Sequence, residues 1–368
     1  MKNSYKDLSI IGIIGLSLAL TLLGCLAGSP SSASAQVYQA QPGVNAGITR
    51  ILYLPLVIKN GMNLAVNPQD RQASLAFFNS IYRGSEGVPI DWTGNHDTCN
   101  EGTSSSTFRQ AMQLRINYYR AMAGVPAITL SDDYNRKAQK AALMMSVNNA
   151  LSHSPPSTWK CYTADGAQAA GSSNLFLGSY SVNAIDGYMY DSGSGDSFVG
   201  HRRWILYPQT QLMGTGDIPA VNGHPAANDL WVFDRFGIRP ATREEFVAWP
   251  PPGYVPYQVV FPHWSFGYAD ADFTATSVSI TFRGNTVPVS MDTVVNGYGE
   301  NTLVWEPQIS SGTPLASDED YTVSIKNVMI SGSPRNFVYH VIIFNPDVQA
   351  TSGAISLERR LGIPLNFP

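Results

Sequence analysis

Apolar positions first fall into register around Phe108, Met112, Tyr119 and Met122, which recur at three- and four-residue steps with Arg115 in the same row. That spacing predicts an amphipathic helix over 107–123, capped by Ser106, ended by Gly124 and kept from resuming by Pro126. A second helix is predicted over 132–149. Ser131 is its cap, and Asp132 and Asp133 lie in its first turn, where negative charge favours the helix dipole. Its packing face is narrow, made of alanines with Leu143, Met144 and Val147, and the two prolines of Leu151-Ser152-His153-Ser154-Pro155-Pro156 force its exit. Shorter helices are predicted over 67–82, started by Asn67-Pro68, and over 183–190. The pattern then changes: Trp204-Ile205-Leu206, Gln211 to Gly216, and Leu230-Trp231-Val232-Phe233 read as strands. Helices followed by strands in one unit predict an α+β fold.

Composition shifts at Trp249-Pro250-Pro251-Pro252-Gly253-Tyr254-Val255-Pro256, which reads as a stiff, extended Pro-rich linker over 250–262. Beyond it the period is two. Residues 277–282, 301–305, 321–325 and 337–344 are short alternating runs between Gly, Asn, Asp and Pro turns, which predicts an immunoglobulin-like β-sandwich over 263–348 and a tail over 349–368. No catalytic constellation is visible in the sandwich, so it reads as a spacer or a binding module.

The first residues change the picture of compartment. Lys2 and Lys6 precede an apolar run from Leu8 to Leu23, and Ala33-Ser34-Ala35 offers a small-x-small cleavage site, so 1–35 reads as a secretory signal peptide. Leu22-Leu23-Gly24-Cys25 supplies the alternative, a bacterial-type lipobox in which Cys25 carries a lipid and gives the only membrane attachment. Residues 36–66 read as a linker with one strand over 51–58 that Pro55 confines to an edge, and 67–104 as a helix-and-loop extension. With Cys25 set aside, Cys99 and Cys161 remain, a pair suited to a disulfide in an oxidising compartment, or else two free thiols. No zinc spacing of Cys and His is present. A net charge of -4 with 14% charged residues argues against a nucleic-acid partner.

Candidate chemistry centres on His153, at the exit of the second long helix, and His201, which follows the Gly/Ser/Asp loop 191–196. Two imidazoles meeting over a cleft can bind a metal or polarise a ligand. Around them, Arg115-Ile116-Asn117-Tyr118-Tyr119-Arg120, Gly124-Val125-Pro126, Ser173-Asn174-Leu175, Tyr188, Asp191, His201 with Trp204, and Met213-Gly214-Thr215-Gly216 follow one another in a familiar order. In that order the segment over 105–235 resembles the CAP superfamily (cysteine-rich secretory, antigen 5 and pathogenesis-related 1 proteins, with an SCP-like extracellular domain), in a bacterial variant. The resemblance implies an α-β-α sandwich over 105–249 whose cleft holds two histidines and two acids able to take a divalent cation.

Carried onto this chain, the histidines are His153 and His201, Asp191 stands for the second acid, and Ser173 replaces the first. A zinc site would then have His153, His201 and Asp191 only, and is expected to be weak. The cleft is expected to comprise His153, Ser173, Asn174, Asp191, His201 and Arg202. The implied function is a secreted or cell-surface, non-enzymatic module that binds a small hydrophobic ligand, a glycan or a protein. The alternative is a metal-assisted hydrolase in which His153, His201 and Asp191 activate water, or Ser173 attacks with an imidazole in reach. Arg202 and Arg203 read either as an anion site or as braces in which one arginine pairs with Asp191 or Asp196. Gly195-Asp196-Ser197 is too short to mark an esterase, and loop 191–196 lacks the ligand spacing for calcium. His96, His224, His263 and His340 read as structural or exposed.

Overall fold

The computed structural model describes residues 64–191 and 197–348. The predicted leader, the Cys25 box, the strand over 51–58, the loop residues 192–196 (including Gly195 and Asp196) and the tail lie outside the described residues.

The helices are α1 (Arg71–Phe77), α2 (Ser106–Met122), α3 (Asp132–Asn148), α4 (Ala164–Ala170), α5 (Val182–Tyr190) and α6 (Gly200–Ile205). Serines cap the two long ones: the Phe108 amide donates to Ser105 Oγ, one residue before the expected cap, and the Tyr134 amide donates to Ser131 Oγ. Helix α1 starts later than Asn67-Pro68 suggests. Asn67 Oδ1 accepts from Gln69 N in a preceding turn, and Asp70 caps the helix through the amides of Gln72 and Ala73. Helix α6 corrects the strand expected at Trp204-Ile205-Leu206. An apolar run that short carries no readable period, and the carboxylate of Asp191 supplies the cap that the sequence around Val199 lacks.

Strands β1 (Thr129–Leu130), β2 (Ser173–Leu177), β3 (Leu212–Ile218) and β4 (Ala227–Trp231) form a mixed sheet in the order β1-β3-β4-β2. Its faces separate by strand alternation. Leu175, Ile218, Ala227 and Trp231 pack with Ala141, Ala142, Leu143 and Met145 of α3 and with Ala169 and Ala170 of α4. Met213 and Leu230 pack on the other side with α2 and α5. Helix α3 approaches β3 so closely that a Cβ on Gly216 would lie 2.1 Å from the Ala138 carbonyl carbon, which explains the small residues of Met213-Gly214-Thr215-Gly216. This is the α-β-α sandwich.

Two further sheets face each other in the C-terminal part. Strands β5 (Val247–Trp249), β7 (Trp264–Gly267), β10 (Val289–Met291) and β11 (Thr302–Pro307) form one, ordered β10-β11-β7-β5. Strands β6 (Gly253–Pro256), β8 (Ser277–Phe282), β9 (Asn285–Val287), β12 (Glu319–Ile330) and β13 (Ser333–Phe344) form the other, ordered β6-β13-β12-β8-β9. The proline-rich stretch is extended, as expected, yet it is no free connector. It leaves one sheet as edge strand β5 and joins the other as edge strand β6, parallel to β13. Sheet edges are where prolines do least harm to hydrogen bonding.

One core runs through both domains. Tyr119 of α2 meets Trp249 of β5 edge to face at 5.2 Å, and Trp264, Trp305 and Ile280 belong to the same apolar cluster as Met112 and Ile116. The N-terminal extension is clasped onto the sandwich. Arg71 pairs with Asp318 at 2.8 Å and donates to the carbonyl of Val348, while Tyr254 N donates to Pro68 O. Gly253 sits at φ +100, and a Cβ there would lie 2.3 Å from Pro68 O, so this crossing requires glycine.

Candidate functional site

His153 and His201 line the same hollow, a cavity of about 320 Å³ at one end of the first sheet. His153 comes from the segment after α3, Gly171 from the end of α4, Ser173 and Asn174 from β2, and Gly200, His201 and Trp204 from α6. Phe198 precedes α6, Phe233 follows β4, and Tyr298 reaches in from the loop between β10 and β11. The size is at the small end of ligand sites.

Both rings are held by the nitrogen nearer the backbone. His153 Nδ1 lies 2.8 Å from Ala170 O, so it carries a hydrogen, and in the neutral ring Nε2 is the acceptor. His201 Nδ1 lies 2.7 Å from Asp191 Oδ1, and its ring rests on Tyr188 at 5.5 Å between centroids. Tyr188, at the place expected of it in the family pattern, is fixed in turn by its hydroxyl, which donates to Asn228 Oδ1 at 2.8 Å. Asn174 adds a bond from Nδ2 to His201 O at 3.0 Å.

Asp191 corrects the expected ligand set. It is the left-handed C-cap of α5, 4% exposed, and its oxygens are committed: Oδ1 to the His201 ring and Oδ2 to the amides of His201 and Arg202. Its role is therefore to orient an imidazole and cap α6, the part outer-sphere carboxylates play around histidines. Among the described residues no group of three His, Cys, Asp or Glu is arranged to hold a metal. Two imidazoles fall short of the three or four protein ligands of a tight zinc site, so the donor set does not fit one.

Ser173 also differs from its expected part as a nucleophile. Its hydroxyl lies 2.7 Å from Ala169 O and 2.6 Å from Asp229 Oδ1. One hydroxyl hydrogen cannot serve two acceptors. The arrangement is satisfied when Asp229 keeps its proton and donates it to Ser173 Oγ, while the hydroxyl donates to Ala169 O. Burial supports this, holding the Asp229 carboxyl well above the usual carboxylate range. Asp229 escapes a reading by motif, although a carboxylate inside an apolar strand run is itself the signal.

Arg202, expected in the cleft, is fully buried behind it. Its guanidinium donates to Met189 O at 2.6 Å, to His263 O at 2.7 Å and to Tyr190 O at 3.3 Å. Burial pushes its pKa down to about 10. Arg203 likewise donates to Val295 O and Glu300 O. The two arginines thus brace α6 against the sandwich through carbonyls; neither pairs with Asp191, whereas Asp196 lies outside the described residues. Phe198, Phe233 and Tyr298 carry no motif, and only Tyr298, set between two glycines of a loop, gives a hint.

The other histidines are structural or at the surface. His96 is buried, donates from Nε2 to Ser146 Oγ at 3.0 Å, and stacks on His224 at 4.4 Å. His263 faces Asp292 at 3.7 Å, and His340 pairs with Asp320. Cys99 and Cys161 form a disulfide.

An α-β-α sandwich with one imidazole from the exit of the second long helix and another at the start of α6 defines a class. Residues 114–229 match the model of the cysteine-rich secretory protein family, and this part of the chain is a CAP domain. Within that class it is similar to the human Golgi-associated plant pathogenesis-related protein 1, 27% identical over 130 residues, which cover 33% of this chain and 79% of the relative.

Proposed function

We propose that this is an exported CAP protein whose two-histidine cleft binds a small apolar ligand, a glycan or a side chain of a protein partner, without turning it over. The observation that carries the reading is the shared hollow. Four aromatic side chains and two oriented imidazoles face one space of about 320 Å³. Such a lining favours an apolar body with a few hydrogen-bonding groups. In its neutral form His153 accepts at Nε2, which suits a ligand that offers a hydroxyl or amine there. Export is supported by the Cys99–Cys161 disulfide, by a family whose members are generally extracellular, and by the leader read in 1–35, with release or lipid attachment at Cys25 as its two outcomes.

The hydrolase reading has weaker support. Asp191 is committed to His201 and two amides, and the Ser173 hydroxyl to Ala169 O and Asp229. Lipid and glycan arrays probed with the wild type and the His153→Ala/His201→Ala double variant test the proposal. A ligand retained by the wild type and lost by the double variant is the expected result. Equal retention by both, or turnover of a bound ester or amide, would refute it.

A further inference from the structure

We propose that the C-terminal sandwich is a working wall of the cleft, and that Tyr298 is the residue through which it selects a ring-bearing ligand. This rests on the ligand-binding reading above and adds to it a second domain and a specificity residue.

Tyr298 belongs to the loop between β10 and β11, yet it lines the cavity with His153, His201 and Trp204. Its ring meets Phe198 at 4.7 Å between centroids. Gly200, the first residue of α6, makes room for that contact. A Cβ there would lie 2.7 Å from Phe198 Cε2 and 3.3 Å from Tyr298 Cδ1. The loop is not loosely draped over the cleft. Arg203 of α6 donates to Val295 O at 2.7 Å and to Glu300 O at 2.9 Å, on both sides of Tyr298, and Arg239 pairs with the Glu300 carboxylate. The guanidinium of Arg203 also lies 5.8 Å from the Tyr298 ring centroid.

These contacts hold an aromatic ring that is 39% exposed at the mouth of the cavity. A ring kept open to solvent by several fixed anchors on either side is arranged to meet something. With Phe198, Trp204 and Phe233 supplied by the CAP domain, a ligand ring has aromatic surfaces from both domains around it. Because the anchors run through α6 itself, a change in the sandwich loop reaches the helix that carries His201.

The test uses the full chain and the aromatic, amphiphilic dye 1-anilinonaphthalene-8-sulfonate, followed by fluorescence. Saturable binding by the wild type is expected. Tyr298→Ala should weaken it roughly tenfold, the scale of a lost aromatic contact, and Tyr298→Phe should restore it to within about twofold. Phe233→Ala, on the CAP side, should also weaken it. Thermal midpoints within about 2 °C of wild type for the Tyr298 variants show that the loss is one of contact and not of fold. If Phe233→Ala weakens binding and Tyr298→Ala does not, the cleft stands and the role of Tyr298 is overturned. If neither variant changes binding, or the wild type binds without saturation, the cleft reading falls and this inference falls with it.

Discussion

Arg202→Met separates a brace from a ligand contact, because the structure commits the guanidinium to three of the protein's own carbonyls and one serine hydroxyl. The change removes two short bonds, to Met189 O at 2.6 Å and His263 O at 2.7 Å, and two longer ones, to Tyr190 O at 3.3 Å and Ser265 Oγ at 3.4 Å. Bonds from a charged donor are worth about 1.5–3 kcal/mol each, the long pair less, so roughly 6 kcal/mol is lost. Against this, burial has driven the guanidinium from 12.5 to about 10, and at about 1.4 kcal/mol per unit the relief on removing the charge is roughly 3 kcal/mol. The bonds win. A net destabilisation of about 3 kcal/mol is expected, or a fall in melting temperature of roughly 6–12 °C. Urea unfolding followed by tryptophan fluorescence measures it, with dye binding measured alongside under native conditions. A variant as stable as wild type that no longer binds would overturn the assignment and return Arg202 to the cleft.

Three further outcomes are expected. Replacing Cys99 and Cys161 by serine opens a loop with a sequence separation of 62 residues, which chain entropy values at about 4 kcal/mol; a loss below about 1 kcal/mol in urea unfolding would contradict this. For Asp229, the folded pKa is raised above the unfolded one, so its contribution is fully present below about pH 4 and declines as pH rises from there. Asp229→Asn should therefore flatten the decline in stability between pH 4 and 7, leaving the part due to Asp217, which burial raises as well; parallel pH profiles for variant and wild type would count against a protonated Asp229. Gly216→Ala places a methyl against the α3 backbone and should cost about 3 kcal/mol or more, whereas Gly237→Ala, which meets nothing within 4 Å, should stay within about 0.5 kcal/mol by the same unfolding assay.

How much of this was legible in the sequence depends on whether the signal is local. The long helices α2 and α3 announce themselves, because caps, period and terminators coincide within each segment. The two histidines were read from the order of motifs, a signal spread along the chain, and both line one hollow. Helix α6 was not. Its cap is Asp191, ten residues away, and six residues are too few to show a period. Arg202 misled for a related reason. A charge beside a histidine suggests a site, and only the fold reveals that its donors reach the His263 carbonyl just before β7 and the Ser265 hydroxyl within it. Asp229 and Tyr298 depend on pairings between distant segments, which no local pattern encodes.

The clasp between the first helix and the last strands has a consequence for the order of assembly. Arg71 finds Asp318 and Val348 across sequence separations of 247 and 277 residues, and β6 pairs with β13, the last strand described. A nascent chain therefore cannot finish its N-terminal part and move on. Phe77 of helix α1 can stack on Tyr118 of α2 early, but the Arg71 end must wait unclasped until β13 and Val348 have left the ribosome. Synthesis halted before residue 333 should yield a product that chaperones hold and proteases cut, however complete its CAP segment looks on paper.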